Sequence, residues 1–282
     1  MKHLSKITYL LLVSVATLFT SCSTDDDAPA TTNELGHLQL VTTLANDQHT
    51  ITLYTTNGAF QTGYNEVYFQ IKDAAGNWID NAAPQWKPEM KMMDMSHACP
   101  YSTIAKKEHA THTFKGYIVF TMAGSDMEHW ELTMDYTVKG TAYTVSAPID
   151  VEEAPNRVVE SFKATDGNSY VLAMVAPENP VIGANDMKAV LYQMASMTSF
   201  VPVAGYTVEI DPRMPGMGNH SAPNNINLTD AANGMYQGKI NFTMTGYWVV
   251  NLQLADASGN VIAGTEVNET NERSNIFFEV AF

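Results

Sequence analysis

The chain has 282 residues, with 15 Lys and Arg against 30 Asp and Glu, a formal charge of −15 at pH 7. That balance excludes a nucleic-acid binder, because neutralising a phosphate backbone needs a basic patch. The length allows one large or two ordinary domains. There are only two cysteines, Cys22 and Cys99, too few for a disulfide framework.

Taken in chain order, the first element is a targeting segment. Lys2 and Lys6 precede an apolar run from Tyr9 to Phe19. It is too short to span a bilayer and has the shape of a signal peptide over residues 1–21. The run ends in "LFTSC", which resembles a bacterial lipobox and implies lipidation at Cys22; an ordinary secretory signal with an incidental cysteine is the alternative. Acyl chains would anchor the protein by burying methylenes, each worth about 0.8 kcal/mol. Cleavage there leaves 13 basic residues against 30 acidic ones, a charge of −17. The stretch "STDDDAPATTNE" that follows is polar and acidic and reads as a flexible tether over 22–36. Its acidic cluster resembles the surface-export signals of Bacteroidota lipoproteins, or is a solvated spacer. The expected location is the outer membrane, on its periplasmic or its cell-surface face.

The remainder predicts an all-β fold. "EVYFQIKD", "GYIVFTMAG", "YTVEI", "GKINFTM" and "WVVNLQL" are apolar or alternating and rich in β-branched and aromatic residues. Turn signals separate them at "DAAGN", "TDGN" and "DASGN". "NDMKAVLYQMASM" scores as helix by composition, but its place in an internal repeat predicts a strand. That repeat has a period of about 120 residues. "GYIVFTMAG" (116–124) matches "GKINFTMTG" (238–246) at six of nine positions. "TGYNEVYFQ" (62–70) pairs with "IGANDMKAV" (182–190) through Gly and Asn. Between them "MKMMDMSHACP" (90–100) faces "RMPGMGNHSAP" (213–223). An offset of 122 equates Met92 with Met214 and Met95 with Met217, and one inserted residue equates His97 with His220. Two tandem domains follow, 37–154 and 155–282, each long enough for its own core. Their short strands suggest an immunoglobulin-like sandwich.

The motif "MPGMGNH…GMYQGKINFTMTGYWVVNLQL" resembles the YtkA-like domain family. The second half carries the pattern at Met214, Met217, His220, Tyr236, Gly238, Phe242, Met244, Gly246 and Trp248. The first half carries it at Met92, Met95, His97, Phe114, Gly116, Phe120, Met122, Gly124 and Trp130. The second loop is one residue longer than the family form. The first hairpin carries "SDMEH" before Trp130, so the two copies need not function equally. The resemblance implies an extracytoplasmic β-sandwich, similar in shape to CopC-like copper proteins, with a role in copper or other metal handling and no enzymatic activity.

The residues support the same expectation independently. Thioether sulfur is a soft, uncharged donor that suits Cu(I) better than hard divalent ions, and neutral imidazole adds a borderline donor. Met92, Met95 and His97 form one candidate site and Met214, Met217 and His220 the other. Cys99, His109, His112, Met122, Met127, His129 and Met244 are possible additional ligands. Each has a plainer reading: methionines fill irregular cores, Met122 and Met244 lie in apolar stretches, and His109 and His112 sit among polar residues. Met90 and Met93 have no counterpart in the second half. No H-E-x-x-H, G-x-S-x-G, P-loop or dinucleotide motif occurs, so catalysis is not expected. The expected protein is a lipid-anchored binder of a soft metal, hypothetically Cu(I), acting as buffer, sensor or chaperone beside a protein partner. A metal-free surface module binding a protein or glycan is the alternative.

Overall fold

A computed structural model describes residues 33–93, 95–125 and 127–282. The expected signal peptide, Cys22 and the tether up to residue 32 lie outside the described residues. Glu34–Phe282 form one compact unit.

The first half contains β1 (Gln39–Ala45), β2 (His49–Thr55), β3 (Phe60–Gln61), β4 (Gly63–Asp73), β5 (Gln85–Lys91), β6 (Ser96–Ala98), β7 (Ala105–Lys106), β8 (Thr113–Phe120), β9 (His129–Val138), β10 (Thr141–Ile149) and β11 (Val151–Glu152). The second contains β12 (Val159–Lys163), β13 (Ser169–Ala176), β14 (Gly183–Ser196), β15 (Ser199–Pro202), β16 (Thr207–Met214), a 3-10 turn (Pro215–Met217), β17 (His220–Ser221), β18 (Ile226–Asp230), β19 (Met235–Phe242), β20 (Tyr247–Ala255), β21 (Val261–Ala263) and β22 (Phe277–Ala281). The fold is all-β, as expected. "NDMKAVLYQMASM" is strand, inside the 14-residue β14.

In the first half a sheet β1-β2-β4-β8-β7 faces a sheet β10-β9-β5-β6. Strict alternation places one side of each strand in the core between them. In β5, for example, Trp86, Pro88 and Met90 are buried while Gln85 and Lys87 are exposed. Leu53, Val67, Phe69, Ile118, Phe120, Trp130 and Leu132 fill this core. In the second half β12-β13-β14-β19 continues through β18 into β16-β20-β21, with β22 also on β20. That sheet closes around a second core containing Tyr170, Leu172, Leu191, Tyr236, Phe242, Trp248 and Phe278. A third apolar cluster joins the halves: Val119 packs with Val171, Ala173, Val190 and Tyr192, flanked by Tyr64 and Tyr117. Tyr117 and Tyr192 share a hydroxyl–hydroxyl hydrogen bond of 2.6 Å. Burial raises both phenols above their ordinary range, so the pair stays neutral and bonded.

Several local features recur at matching positions in the two halves. Asn65 receives the amide of Gln61 and donates to the carbonyls of Gln61 and Gly63; Asn185 does the same with Val181 and Gly183. Gly63 and Gly183 both have φ near +100°, at 97° and 106°, a conformation that L side chains rarely adopt. Trp130 donates its indole N–H to the carbonyl of Met122 and Trp248 to that of Met244, at 2.9 and 3.1 Å. Each indole packs on the last phenylalanine of the preceding strand, Phe120 or Phe242.

The shared glycine of the aromatic-x-Gly element has a packing reason. A Cβ on Gly238 would stand 2.3 Å from the carbonyl oxygen of Ile226 and 2.8 Å from that of Asn227, and backbone cannot step aside. Gly238→Ala is expected to cost about 2 kcal/mol, lowering the melting temperature by roughly 4–8 °C in a calorimetric scan. An unchanged melting temperature would refute the close approach of β18 to β19.

Candidate metal site

The hairpin β5–β6 carries the methionine-rich segment. Its register is Glu89–Ala98, Met90–His97 and Lys91–Ser96. The amide of Met92 donates to the carbonyl of Met95 at 3.0 Å, one step beyond the Lys91–Ser96 pair. Cross-strand partners share a face and alternate residues return to it. Met90, Met92, Met95 and His97 therefore lie on one face of the hairpin. On β9, the neighbouring strand, Trp130 is paired with Met90 and shares that face.

Met90 and Trp130 are fully buried. Met92 is half-buried against the core. Met95, at the turn, is 60% exposed, and Met93, on the opposite face, is 79% exposed. His97 is half-buried, with its ring edge-on to Trp130 at 5.6 Å. Its Nδ1 lies 3.1 Å from the carbonyl of Ala98. Its Nε2 is buried and has no hydrogen-bond partner. A buried polar atom without a partner costs free energy unless something else satisfies it.

The strand register changes the correspondence between the two copies. Pro88 faces Leu132, two positions from Trp130, and Pro212 faces Val250, two positions from Trp248. Pro88 and Pro212 are thus equivalent, and so are Met90 and Met214, two residues further on. His220 is paired with Met214 as His97 is with Met90. The recurrent motif is therefore Met90-x-x-Met93 with Met214-x-x-Met217, and not Met92-x-x-Met95. The sequence comparison carried the offset of 122 from β8 and β19 into a hairpin whose own offset is 124.

The second copy is built differently. Met214 is buried, and its Cε sits 2.8 Å from where a Cβ on Gly246 would stand. Its sulfur end is thus packed beside the β19–β20 turn. Pro215–Met217 form the 3-10 turn that ends at Gly218, with φ 64°. Met217 is 57% exposed and His220 is also solvent-exposed. Only Met214 of the three is held in apolar surroundings.

The possible additional ligands separate into three groups. Cys99 is completely buried in the first core, and desolvation pushes its thiol well above the ordinary range. His109 and His112 precede β8, whereas Met122 follows it. Eight residues of strand set those ends roughly 23 Å apart. His112 stacks on Trp78 and lies 2.7 Å from Asp80, and exposed His109 approaches Glu108. Glu34, counted in the tether from sequence, is fixed there by the amides of Thr111 and His112. The third group lies at the hairpin end. Met122 is anchored through its carbonyl to Trp130, His129 is paired with Lys91, and Met127 is exposed in the intervening loop. Met122 and Met244 both lie two residues past their strands instead of within them. Met244 packs on the second core.

Among the described residues no group of three or more His, Cys, Asp or Glu could hold a metal ion. The donor set that remains is thioether and imidazole, which fits a soft monovalent ion and not a hard divalent one.

Residues 165–253 match the YtkA-like family. The matched segment runs from the β12–β13 turn to near the end of β20 and includes Met214, Met217 and His220. No curated protein matches the chain. Among solved structures, the chain is similar to Escherichia coli alpha-2-macroglobulin at 12% identity and a TM-score of 0.26, covering 79% of this chain and 14% of that one. It is also similar to a DUF4785 family protein from Legionella pneumophila at 11% identity and a TM-score of 0.25, covering 76% and 54%. A titin structure follows at 10% identity and 0.18, covering 69% and 87%. The chain thus spans less than two thirds of the first two, and TM-scores this low carry no information on function.

In a chain with Cys22→Ser, Cys99 is expected to resist alkylation at pH 8 for hours in the native state and to react within minutes in guanidinium. Rapid native labelling would show that the thiol is accessible and return it to the set of possible ligands.

Proposed function

We propose that the chain is an extracytoplasmic, lipid-anchored binder of a soft metal ion, Cu(I) by its donor chemistry, acting through the first-half hairpin. The observation that carries this reading is the unpartnered, buried Nε2 of His97 beside the strand register that pairs it with Met90. Met92 and Met95 share that face and lead from the core to solvent, which gives an ion an entry path lined by thioethers. The YtkA-like match supports the reading at the level of family. Coordination and exchange, without catalysis, would suit a buffer, a sensor or a chaperone that passes its ion to a protein partner. Anchoring at Cys22 would hold it at the outer membrane.

One observation favours a second reading, a metal-free interaction module. Between the halves lies a cleft of about 470 Å³, bordered by Tyr64, Glu66, Val158, Val175 and Glu178. That volume falls in the range of small-ligand sites.

The test is a Cu(I) titration against a competing chelator under reducing conditions, using the full chain with Cys22→Ser to remove a competing thiol. The wild-type sequence is expected to take up one tightly held ion. Joint replacement Met92→Leu, Met95→Leu and His97→Asn should weaken it about a hundredfold, or about 2.7 kcal/mol. Absence of uptake, or equal uptake by the triple variant, sinks the metal reading at this site. Met90→Leu separates the registers: a loss of affinity with an intact fold makes Met90 a ligand, and no change leaves it as core.

A further inference from the structure

The two halves differ in one element that the repeat does not explain. In the first half β4 ends at Asp73 and the chain turns at once, with the amide of Gly76 on the carbonyl of Asp73. In the second half the equivalent strand β14 runs on to Ser196 and returns as β15. The resulting arm, residues 192–202, is paired through Tyr192–Pro202, Met194–Phe200 and Ser196–Ser199. Its base is fixed by Tyr192 in the cluster that joins the halves. Its tip crosses to the first half, where the amide of Ala98 donates to the carbonyl of Met197 at 2.9 Å. Ala98 is the residue after His97, on the edge strand β6. In the second half the equivalent residue, Ser221, makes no such backbone bond among the described residues.

The tip residue is chemically out of place. Tight turns at exposed tips favour Gly, Asn, Asp and Ser, and Ser196, Thr198 and Ser199 conform. Met197 does not, and no apolar cluster contains it. Its backbone is bonded to the first half while 52% of its surface remains exposed. The three apolar cores therefore do not account for a thioether here. The residue before its partner Ala98 is His97, whose Nε2 is buried and unpartnered.

We propose that Met197 supplies a thioether ligand to the His97 site, so that the soft-metal site is built from both halves of the chain. This rests on the metal-binding reading above and extends it. Cu(I) accepts two to four soft ligands without strict geometry. Met90 and Met92 offer sulfur from the core side, and the arm offers it from the edge of β6. An ion so bound bridges the halves, and its binding stabilises their association by mass action. The second half has a paired Met214 and His220 but no such arm, so this proposal expects one site and not two.

The test uses the full chain with Cys22→Ser, loaded with one equivalent of Cu(I). X-ray absorption counts the sulfur and nitrogen neighbours, and chelator competition gives the affinity. Met197→Leu keeps size and fold, is expected to remove one sulfur from the count, and should weaken binding about tenfold. Met217→Leu, the exposed methionine of the second copy, should change neither. If the wild-type sequence binds Cu(I) and His97→Asn abolishes it, but Met197→Leu leaves count and affinity unchanged, Met197 is not a ligand and the metal reading stands. If the wild-type sequence takes up no Cu(I), the metal reading itself falls. A melting scan of the copper-free Met197→Leu chain, expected within about 1 °C of the parent, shows that any loss is not unfolding.

Discussion

A buried tryptophan has one polar atom, and its N–H must find an acceptor. In both halves that requirement is met by a carbonyl just past the preceding strand, Met122 for Trp130 and Met244 for Trp248. The bond fixes the loop that enters β9 or β20 and seats each indole on Phe120 or Phe242. An unmade bond of this kind costs about 1–3 kcal/mol, so the loop has little freedom to drift. The strand beside each tryptophan is then aligned to it, and β5 delivers Met90, and through Met90 His97, to the same corner of the sandwich. The methionine–histidine row is a consequence of this placement.

The second constraint is the contact between halves. Two sandwiches joined by a short linker would ordinarily move against each other. Here Val119, Val171, Ala173, Val190 and Tyr192 remove apolar surface from water, at about 25 cal/mol per Å². The linker is fastened as well: buried Glu160 receives two bonds of 2.7 Å from Arg157 and one from the amide of Phe277. A removed partner would leave a buried charge. The arm from β14 to β15 thus projects from a fixed base, and its tip meets β6 at a defined residue.

Much of the fold was legible in the sequence because its signals are local. Apolar strands, Gly-containing turns and the Gly63–Asn65 and Gly183–Asn185 pairs each report a backbone conformation. Asp73, Asp166 and Asp256 all cap their turns with the side chain, as "DAAGN", "TDGN" and "DASGN" suggest. The register of the candidate site was not legible. Its offset differs from element to element: 120 residues at Asn65, 124 at Met90, 122 at Phe120 and 118 at Trp130, because each loop has its own length. An offset taken from one strand therefore misassigns the next by two residues. In a hairpin, two residues preserve the face and change the partner, so Met92 inherited a role that the pairing gives to Met90. Pro88 and Pro212, which precede the equivalent methionines by two residues, were the available signal.

Met197 escaped the sequence for a different reason. It ends the stretch "NDMKAVLYQMASM", read as strand from its place in the repeat, and nothing local distinguishes a turn that ends in solvent from one that ends on another sheet. That distinction depends on an edge strand 99 residues earlier in the chain, β6, whose exposed amide must be satisfied. An edge left open invites pairing with another chain, and the arm closes it at Ala98. A turn recruited only for that task needs its carbonyl and nothing from its side chain. Any small polar residue would serve, as it does at the three positions beside it. Methionine at the position whose carbonyl holds Ala98, the neighbour in sequence of a histidine with an unpartnered ring nitrogen, is what a purely structural account of the arm leaves over.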